Sequence, residues 1–309
     1  MDVSIIIVSF NAGDYLNKCL LSIKKETASN YEIIVVDNHS RDDSVDIVKK
    51  YYPEVKLVEL QENVGFAKAN NIAFKAANGC YVFMLNPDTV VLNGAIDKLV
   101  QFMDNNKSAG ACGPKNLNPD LSLQYNCHHF PSLFLSLWEY LQLKRFFPHS
   151  RIFGREHMSY WDYNKVKKVD WITGCSLLIR KKVLDRIGFL DENYFMYSEE
   201  CDLCFRIKKN NYLTLFYPGA SIVHYGGQSS LKQEQQKSFS KTIVKYLFQS
   251  RYYFYRKNYG KSWEILLRLL DMIYFGISFI KNKVFFLKKN RKERIALAEE
   301  ILRTTLLHN

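Results

Sequence analysis

Residues 3–10 read VSIIIVSF, an apolar and β-branched run broken only by serines. A strand with one wet face alternates polar and apolar residues, so this run predicts a strand covered on both faces. YEIIVVD (31–37), VKLVEL (55–60) and CYVFML (80–85) repeat the character. Between them, DYLNKCLLSIKK (14–25), SRDDSVDIVKKYY (40–52) and GFAKANNIAFKAA (65–77) read as helices, the second with an acidic first turn. Short connections and strict alternation predict an α/β, Rossmann-like fold with a mostly parallel central sheet flanked by helices.

The pattern loosens after about residue 115. It returns at VDWITGCSLLIRKKVLDRIG (169–188), a strand then a helix, and at a helix from about Glu199 to Asn210. YLTLFYP and ASIVHYGG follow as strand signals, and beyond Ser230 the chain reads as helical and basic. The expected division is a catalytic domain over residues 1–230 and an aromatic-rich helical C-terminal region over 231–309. A chain of 309 residues accommodates one large domain and such an appendage.

The seven cysteines are odd in number and scattered, which suits reduced thiols in a cytoplasmic setting. The N-terminus carries no basic leader, so no signal peptide is expected. The net charge of +12 is concentrated after Lys241, in RYYFYRK, KNK and KKNRKER. Such a tail favours anionic partners, a membrane surface or nucleic acid. No nucleic-acid motif accompanies it, so nucleic acid is not expected. The apolar-plus-cationic stretch within 241–292 suits an anionic membrane surface at least as well as packing on its own domain or in a homodimer. The apolar stretch MIYFGISFI is too short to span a bilayer.

In open parallel sheets, ligands bind beyond the carboxyl ends of the strands. Those ends carry Ser9 and Asn11, then Asp37 and Asn38, then Asn63 and Gly65, then Asn86 and Asp88. None carries GxGxxG or a P-loop, which argues against a dinucleotide-dependent dehydrogenase and a P-loop NTPase. The Gly-rich basic loop of a nucleotide-sugar pyrophosphorylase is missing too. Asp37 is suited to accept from a pyrimidine imide; its plainer role is an N-cap for the 40–52 helix, with Ser40 as competitor. Lys68 and Asn70 stand one turn into the next helix, near its phosphate-attracting N-terminus. Asn86-Pro87-Asp88 sets an amide and a carboxylate two residues apart, a donor pair for Mg²⁺ or Mn²⁺, or else an Asx-Pro turn capping a helix at TVVLNGAI (89–96). His224, before Gly226-Gly227, is either a packed ring or a ligand-side group. In SEECDLCFR (198–206), Cys201 and Cys204 have neither redox nor zinc-finger context and read as inward-packed neighbours.

Together VSIIIVSFN, IIVVDNHSRD, ENVGFAKANN, LNPDT, WITGCSLLIRKKVLDRIGFLDENYFMYSEECDLCFRI and IVHYGGQSS resemble family 2 inverting glycosyltransferases. The resemblance is to the rhamnosyltransferase-like branch acting on bacterial polysaccharides, and it covers roughly residues 3–230 in order and spacing. It implies a GT-A nucleotide-diphospho-sugar fold. By resemblance, Ser9, Asn11, Asp37 and Asn38 hold the nucleoside, and Asn63, Gly65, Phe66, Lys68 and Asn70 line the ribose and diphosphate. Asn86 stands where many relatives have the first acid of Asp-x-Asp, so Asp88 is implied as the main ligand of Mg²⁺ or Mn²⁺, with His224 assisting. Trp171, Thr173 and Gly174 border donor sugar and acceptor. Glu200 stands where relatives carry the aspartate base, with Glu199 as rival and Asp202 as a structural residue that caps the helix or pairs with Arg206 one turn on (i, i+4). The implied donor is a dTDP- or UDP-sugar, and rhamnose is the branch's usual sugar. The implied acceptor is a saccharide or lipid-linked saccharide, and the implied location is cytoplasmic, peripheral on the inner face of the cell membrane. The competing reading is a non-catalytic sugar-nucleotide, membrane or nucleic-acid binder on the same fold.

Overall fold

The computed structural model describes residues 1–147, 149–155, 158–226, 241–284 and 291–307. The apolar runs form β1 (Val3–Ser9), β2 (Tyr31–Asp37), β3 (Lys56–Glu59) and β4 (Tyr81–Leu85). Between them lie α1 (Gly13–Glu26), α2 (Ser44–Tyr51) and α3 (Phe66–Phe74). These four strands pair in parallel in the order β3-β2-β1-β4, so strand order reverses beside β1. Ile5 and Ile7 of β1 face one core layer with Leu16 and Leu20 of α1. Ile6 and Val8 face the other, with Ala67, Ala69 and Ala73 of α3. The period-2 pleat divides a continuous apolar run between two layers. Each fully buried Ile or Leu contributes about 1.5–3 kcal/mol.

The chain beyond β4 makes the sheet mixed. It adds β5 (Thr89–Leu92), α4 (Ala95–Asn105), β6 (Ala109–Leu117), β7 (Leu123–Gln124) and β8 (Cys127–His128). After α5 (Leu133–Tyr140) and α6 (Leu143–Phe146) come β9 (Lys167–Val169), β10 (Trp171–Ile172) and β11 (Ser176–Arg180). Then follow α7 (Lys181–Ile187), α8 (Glu199–Lys209) and β12 (Leu213–His224). Strand β11 runs antiparallel between β4 and β6, and β12 lies parallel to β6 and antiparallel to β5.

One expectation fails here. Residues 89–92 of the stretch considered as a helix form strand β5, whose Val90 and Val91 pair with Val223 and Ile222 of β12. Asp88 therefore caps no helix there, and the helix begins only at Ala95. The two strand signals around Tyr217 and Ser221 belong to one strand, whose register shifts between those residues.

The C-terminal region is helical: α9 (Lys241–Asn258), α10 (Lys261–Val284) and α11 (Arg291–Leu306). Phe248, Tyr252, Phe254 and Tyr255 of α9 are buried in the same core layer as Leu203, Cys204 and Ile207 of α8. The boundary expected near Ser230, Gly227 and part of the 241–292 stretch lie outside the described residues. Among the described residues, no helix is long and apolar enough to cross a membrane.

Candidate active site

Ser9 and Asp37 end two adjacent parallel strands and are register partners. Both are buried, with Asn11 beside them. Asp37 Oδ2 accepts from the Ser40 N–H at 2.9 Å, and Ser40 Oγ accepts from the Asn11 N–H at 2.9 Å. Asn11 adopts left-handed backbone geometry (φ 52°) while its Oδ1 accepts from the Arg41 N–H at 2.7 Å. Helix α2 starts only at Ser44, so Asp37 and Ser40 brace a turn and neither is its N-cap. Three buried atoms of this turn lack a hydrogen-bond partner: Ser9 Oγ, Asn11 Nδ2 and Asp37 Oδ1. An unpaired buried polar group costs about 1–3 kcal/mol, so a polar ligand or water that met these three atoms would recover that cost.

The next group behaves differently. Asn38 donates to Asn63 Oδ1 at 2.9 Å, and its own Oδ1 accepts from the Val64 N–H at 3.0 Å. Asn63 Oδ1 also accepts from the Gly65 N–H at 3.0 Å. Asn70 turns its amide back onto the Phe66 carbonyl at 2.9 Å. The Phe66 N–H, at the start of α3, donates to the Phe195 carbonyl at 2.7 Å. Asn38, Asn63, Phe66 and Asn70 thus spend these polar groups on the shape of the loop, whereas Lys68 stays exposed. Gly65 is required: its φ is +86°, and a Cβ would lie 2.5 Å from the Phe195 carbonyl oxygen.

Antiparallel pairing places His224 opposite Thr89, the neighbour of Asp88. His224 Nε2 then lies 3.4 Å from Asp88 Oδ1 and 3.5 Å from Asn86 Nδ2. Gln124 fixes the ring, with its Oε1 at 2.7 Å from His224 Nδ1 and its amide donating to the His224 carbonyl at 3.1 Å. Burial opposes a charged imidazole, yet Cys175 and Asp88 outweigh it and raise the His224 pKa. Among the described residues no three His, Cys, Asp or Glu side chains form a metal cage. Asp88 with His224 is a two-residue donor set, which fits an ion that takes its other ligands from phosphate and water.

From Asn86 the site continues across the sheet. The Asn86 N–H donates to the Cys175 carbonyl at 2.9 Å, and the adjacent Gly174 N–H donates to Glu200 Oε1 at 3.2 Å. A Cβ on Gly174 would lie 3.4 Å from the Glu200 Cβ, so glycine lets the carboxylate approach the backbone. Tyr197 and Ser198 precede α8 in left-handed geometry (φ 72° and 66°), turning the chain so that both glutamates open the helix. Glu199 is buried at 4% exposure, whereas Glu200 is partly exposed. Each leaves its Oε2 without a hydrogen-bond partner. Burial raises the pKa of both carboxyls, the charge of Glu200 adds to the rise on Glu199, and the Gly174 N–H works against the rise on Glu200.

Trp171 stacks on His128 with ring centroids 4.1 Å apart and donates to the His129 carbonyl at 3.0 Å. Thr173 bonds the Asn126 carbonyl through its N–H and its hydroxyl. Both therefore hold the segment leading to Gly174. Cys201 and Cys204 are buried in α8, and burial raises both thiols, Cys204 to about 12, as suits packed rather than reactive sulfur.

Sequence reasoning overlooked the residues that position the glutamate helix. Phe195 stacks on Tyr246 of α9 at 4.4 Å, and Ser250 donates to the Met196 carbonyl at 2.8 Å. Asp202 pairs with Arg206 at 2.8 Å, as its (i, i+4) spacing predicted, but also with Lys257 at 2.9 Å and Asn258 at 3.0 Å. Gln124 was overlooked too. No local pattern marks these residues, because their partners lie 50 to 100 positions away.

Comparison with known proteins extends these observations. The sequence family described as glycosyl transferase family 2 matches residues 4–187. An N-acetylglucosaminyl-diphospho-decaprenol L-rhamnosyltransferase of Mycobacterium tuberculosis is 27% identical over 240 residues, 73% of this chain and 76% of the relative. The rhamnosyltransferase WbbL of Escherichia coli is 26% identical over 266 residues, 82% of this chain and 93% of the relative. Among solved structures, the mannosyltransferase PcManGT of Pyrobaculum calidifontis, in complex with GDP-Man and Mn²⁺, shares the fold with a TM-score of 0.53 at 16% identity. That match covers 98% of this chain and 72% of the other.

Proposed function

The chain belongs to glycosyltransferase family 2, and from that premise we propose that it is an inverting transferase of cell-surface polysaccharide synthesis. It moves a sugar, rhamnose by analogy with the two relatives, from a pyrimidine nucleoside diphosphate to a hydroxyl of a lipid-linked saccharide. The observation that carries the reading is the row of partnerless buried polar atoms: Ser9 Oγ, Asn11 Nδ2 and Asp37 Oδ1 at one end, Glu200 Oε2 at the other.

In this reading Asp37 Oδ1 accepts from the imide N–H of uracil or thymine, while Ser9 and Asn11 complete the nucleoside contacts. Lys68 supplies positive charge toward the diphosphate. Asp88 and His224 would hold Mg²⁺ or Mn²⁺, which when bound supplies charge neutralisation to the leaving diphosphate. Glu200 takes the proton from the acceptor hydroxyl as that oxygen attacks the anomeric carbon from the face opposite the leaving group. Its contact with the Gly174 N–H suits that role, and its raised pKa makes it a stronger base than a free carboxylate. Burial and the neighbouring Glu200 charge favour the neutral form of Glu199 beside it. The anchored Gly174 segment holds acceptor and donor in line. A lipid-linked acceptor implies work at a membrane surface, with the chain peripheral to it.

Thermal denaturation with dTDP, UDP and GDP, each with and without Mn²⁺, tests the donor assignment. The expected result is metal-dependent stabilisation by a pyrimidine diphosphate and loss of that preference in Asp37→Ala. Equal stabilisation by all three nucleotides would overturn the role given to Asp37.

A further inference from the structure

Helix α10 is inverted relative to a helix on a water-facing surface. Its buried positions include Glu264, Arg268, Asp271 and Asn282. Its exposed positions include Leu266, Leu269, Ile273, Ile277, Ile280 and Val284, with the three isoleucines each 62% exposed. Steps of three and four residues set these six on one side of the helix. The inversion is held in place from within. Glu264 pairs with Arg256 and Arg268, and Asp271 accepts from Tyr140 and Tyr252 while pairing with Arg251. A charged inner face so fully engaged cannot rotate outward without stranding its ions.

Both acids of the helix are consumed by this arrangement. Its exposed charges are Lys261 at one end and Lys281 and Lys283 at the other. We propose that the outward face of α10 docks on an anionic lipid bilayer, lying in the headgroup plane with its aliphatic stripe in the acyl boundary and its lysines among the phosphates. A 24-residue helix is about 36 Å long, and it does not qualify as a membrane span, so it lies along the surface. Charge selects this occupant over a second copy of the chain. Two α10 faces pressed together would bring lysine ends toward one another with no exposed acid on either helix to pair them. Helix α5, packed against α10 by the Tyr140–Tyr274 stack at 4.2 Å, adds the exposed Phe134 and, just past its end, Leu141. The proposal is independent of the sugar-transfer reading, because lipid binding is measured without donor or acceptor.

Flotation of the full chain with phosphatidylcholine vesicles, and with vesicles that also contain phosphatidylglycerol, tests it. The expected result is salt-sensitive binding to the anionic vesicles, reduced about tenfold or more in the triple variant Ile273→Gln, Ile277→Gln, Ile280→Gln. The substituted side chains are exposed, so the variant should keep its melting temperature and its nucleotide-induced shift. Should it fail to fold, the double variant Lys281→Glu, Lys283→Glu should lose the preference for anionic vesicles. Wild-type protein that stays unbound, or variants that float as well as wild type, would overturn the proposal. So would a lipid-free wild-type dimer that the triple substitution converts to monomer without changing vesicle binding.

Discussion

Lys257 of α9 reaches the buried Asp202 carboxylate at 2.9 Å and the Asp191 carboxylate at 2.7 Å. One ammonium from the C-terminal region thus ties together both ends of the segment that carries Glu200. Lys257→Met should leave Asp202 with only Arg206 and Asn258 and cost about 1–3 kcal/mol in urea unfolding, less than a fully enclosed pair because the lysine is partly exposed. Turnover should fall while the nucleotide-induced melting shift persists, since the loosened part is the base helix.

Glu200→Gln keeps the shape and the Gly174 contact but removes the base. Sugar transfer should fall by about 10²–10⁴-fold with donor binding retained. Glu199→Gln should fall far less. The reverse order, measured as initial rates at saturating donor, would transfer the role to Glu199.

Burial raises the Glu200 carboxyl above its ordinary 4.5, and only the ionised form accepts a proton. Transfer should therefore rise with pH through an acid limb centred above 4.5, and a pH–rate profile of kcat/KM measures it.

The Glu199 carboxyl also sits well above 4.5, first through burial and then through the neighbouring Glu200 charge. Between 4.5 and the raised value the folded chain binds more protons than the unfolded one, so this group lowers stability as pH rises through that window. Glu199→Gln removes the penalty, and its melting temperature should exceed that of wild type by a margin that widens as pH rises above 4.5.

Gly65→Ala places a methyl group against the Phe195 carbonyl at a positive φ. The 63–66 loop must shift, and with it the Asn38–Asn63 lock. Stability should drop by about 1–3 kcal/mol, and the concentration of nucleotide needed for half-maximal stabilisation should increase.

Much of this molecule is written in local order. The apolar runs at 3–10, 31–37 and 80–85 are bounded by polar residues, which names the strands and puts Ser9 and Asp37 at strand ends, while the structure makes those two register partners. The Asp202–Arg206 pair and the inward cysteines follow from helical spacing alone. Other features are invisible at that range. Residues 89–92 became a strand because β12 offered them a partner, and that pairing brought His224 to Asp88 across 136 positions. Glu199 and Glu200 are identical in type and adjacent in sequence; the enclosure of one and the partial exposure of the other arise from what packs against α8. The inverted face of α10 depends likewise on arginines from α9 meeting its acids. Periodicity reports which side chains share a face of one element. Which face meets solvent, and which distant group meets it, is settled by packing, because burial and ion pairing are properties of pairs of elements.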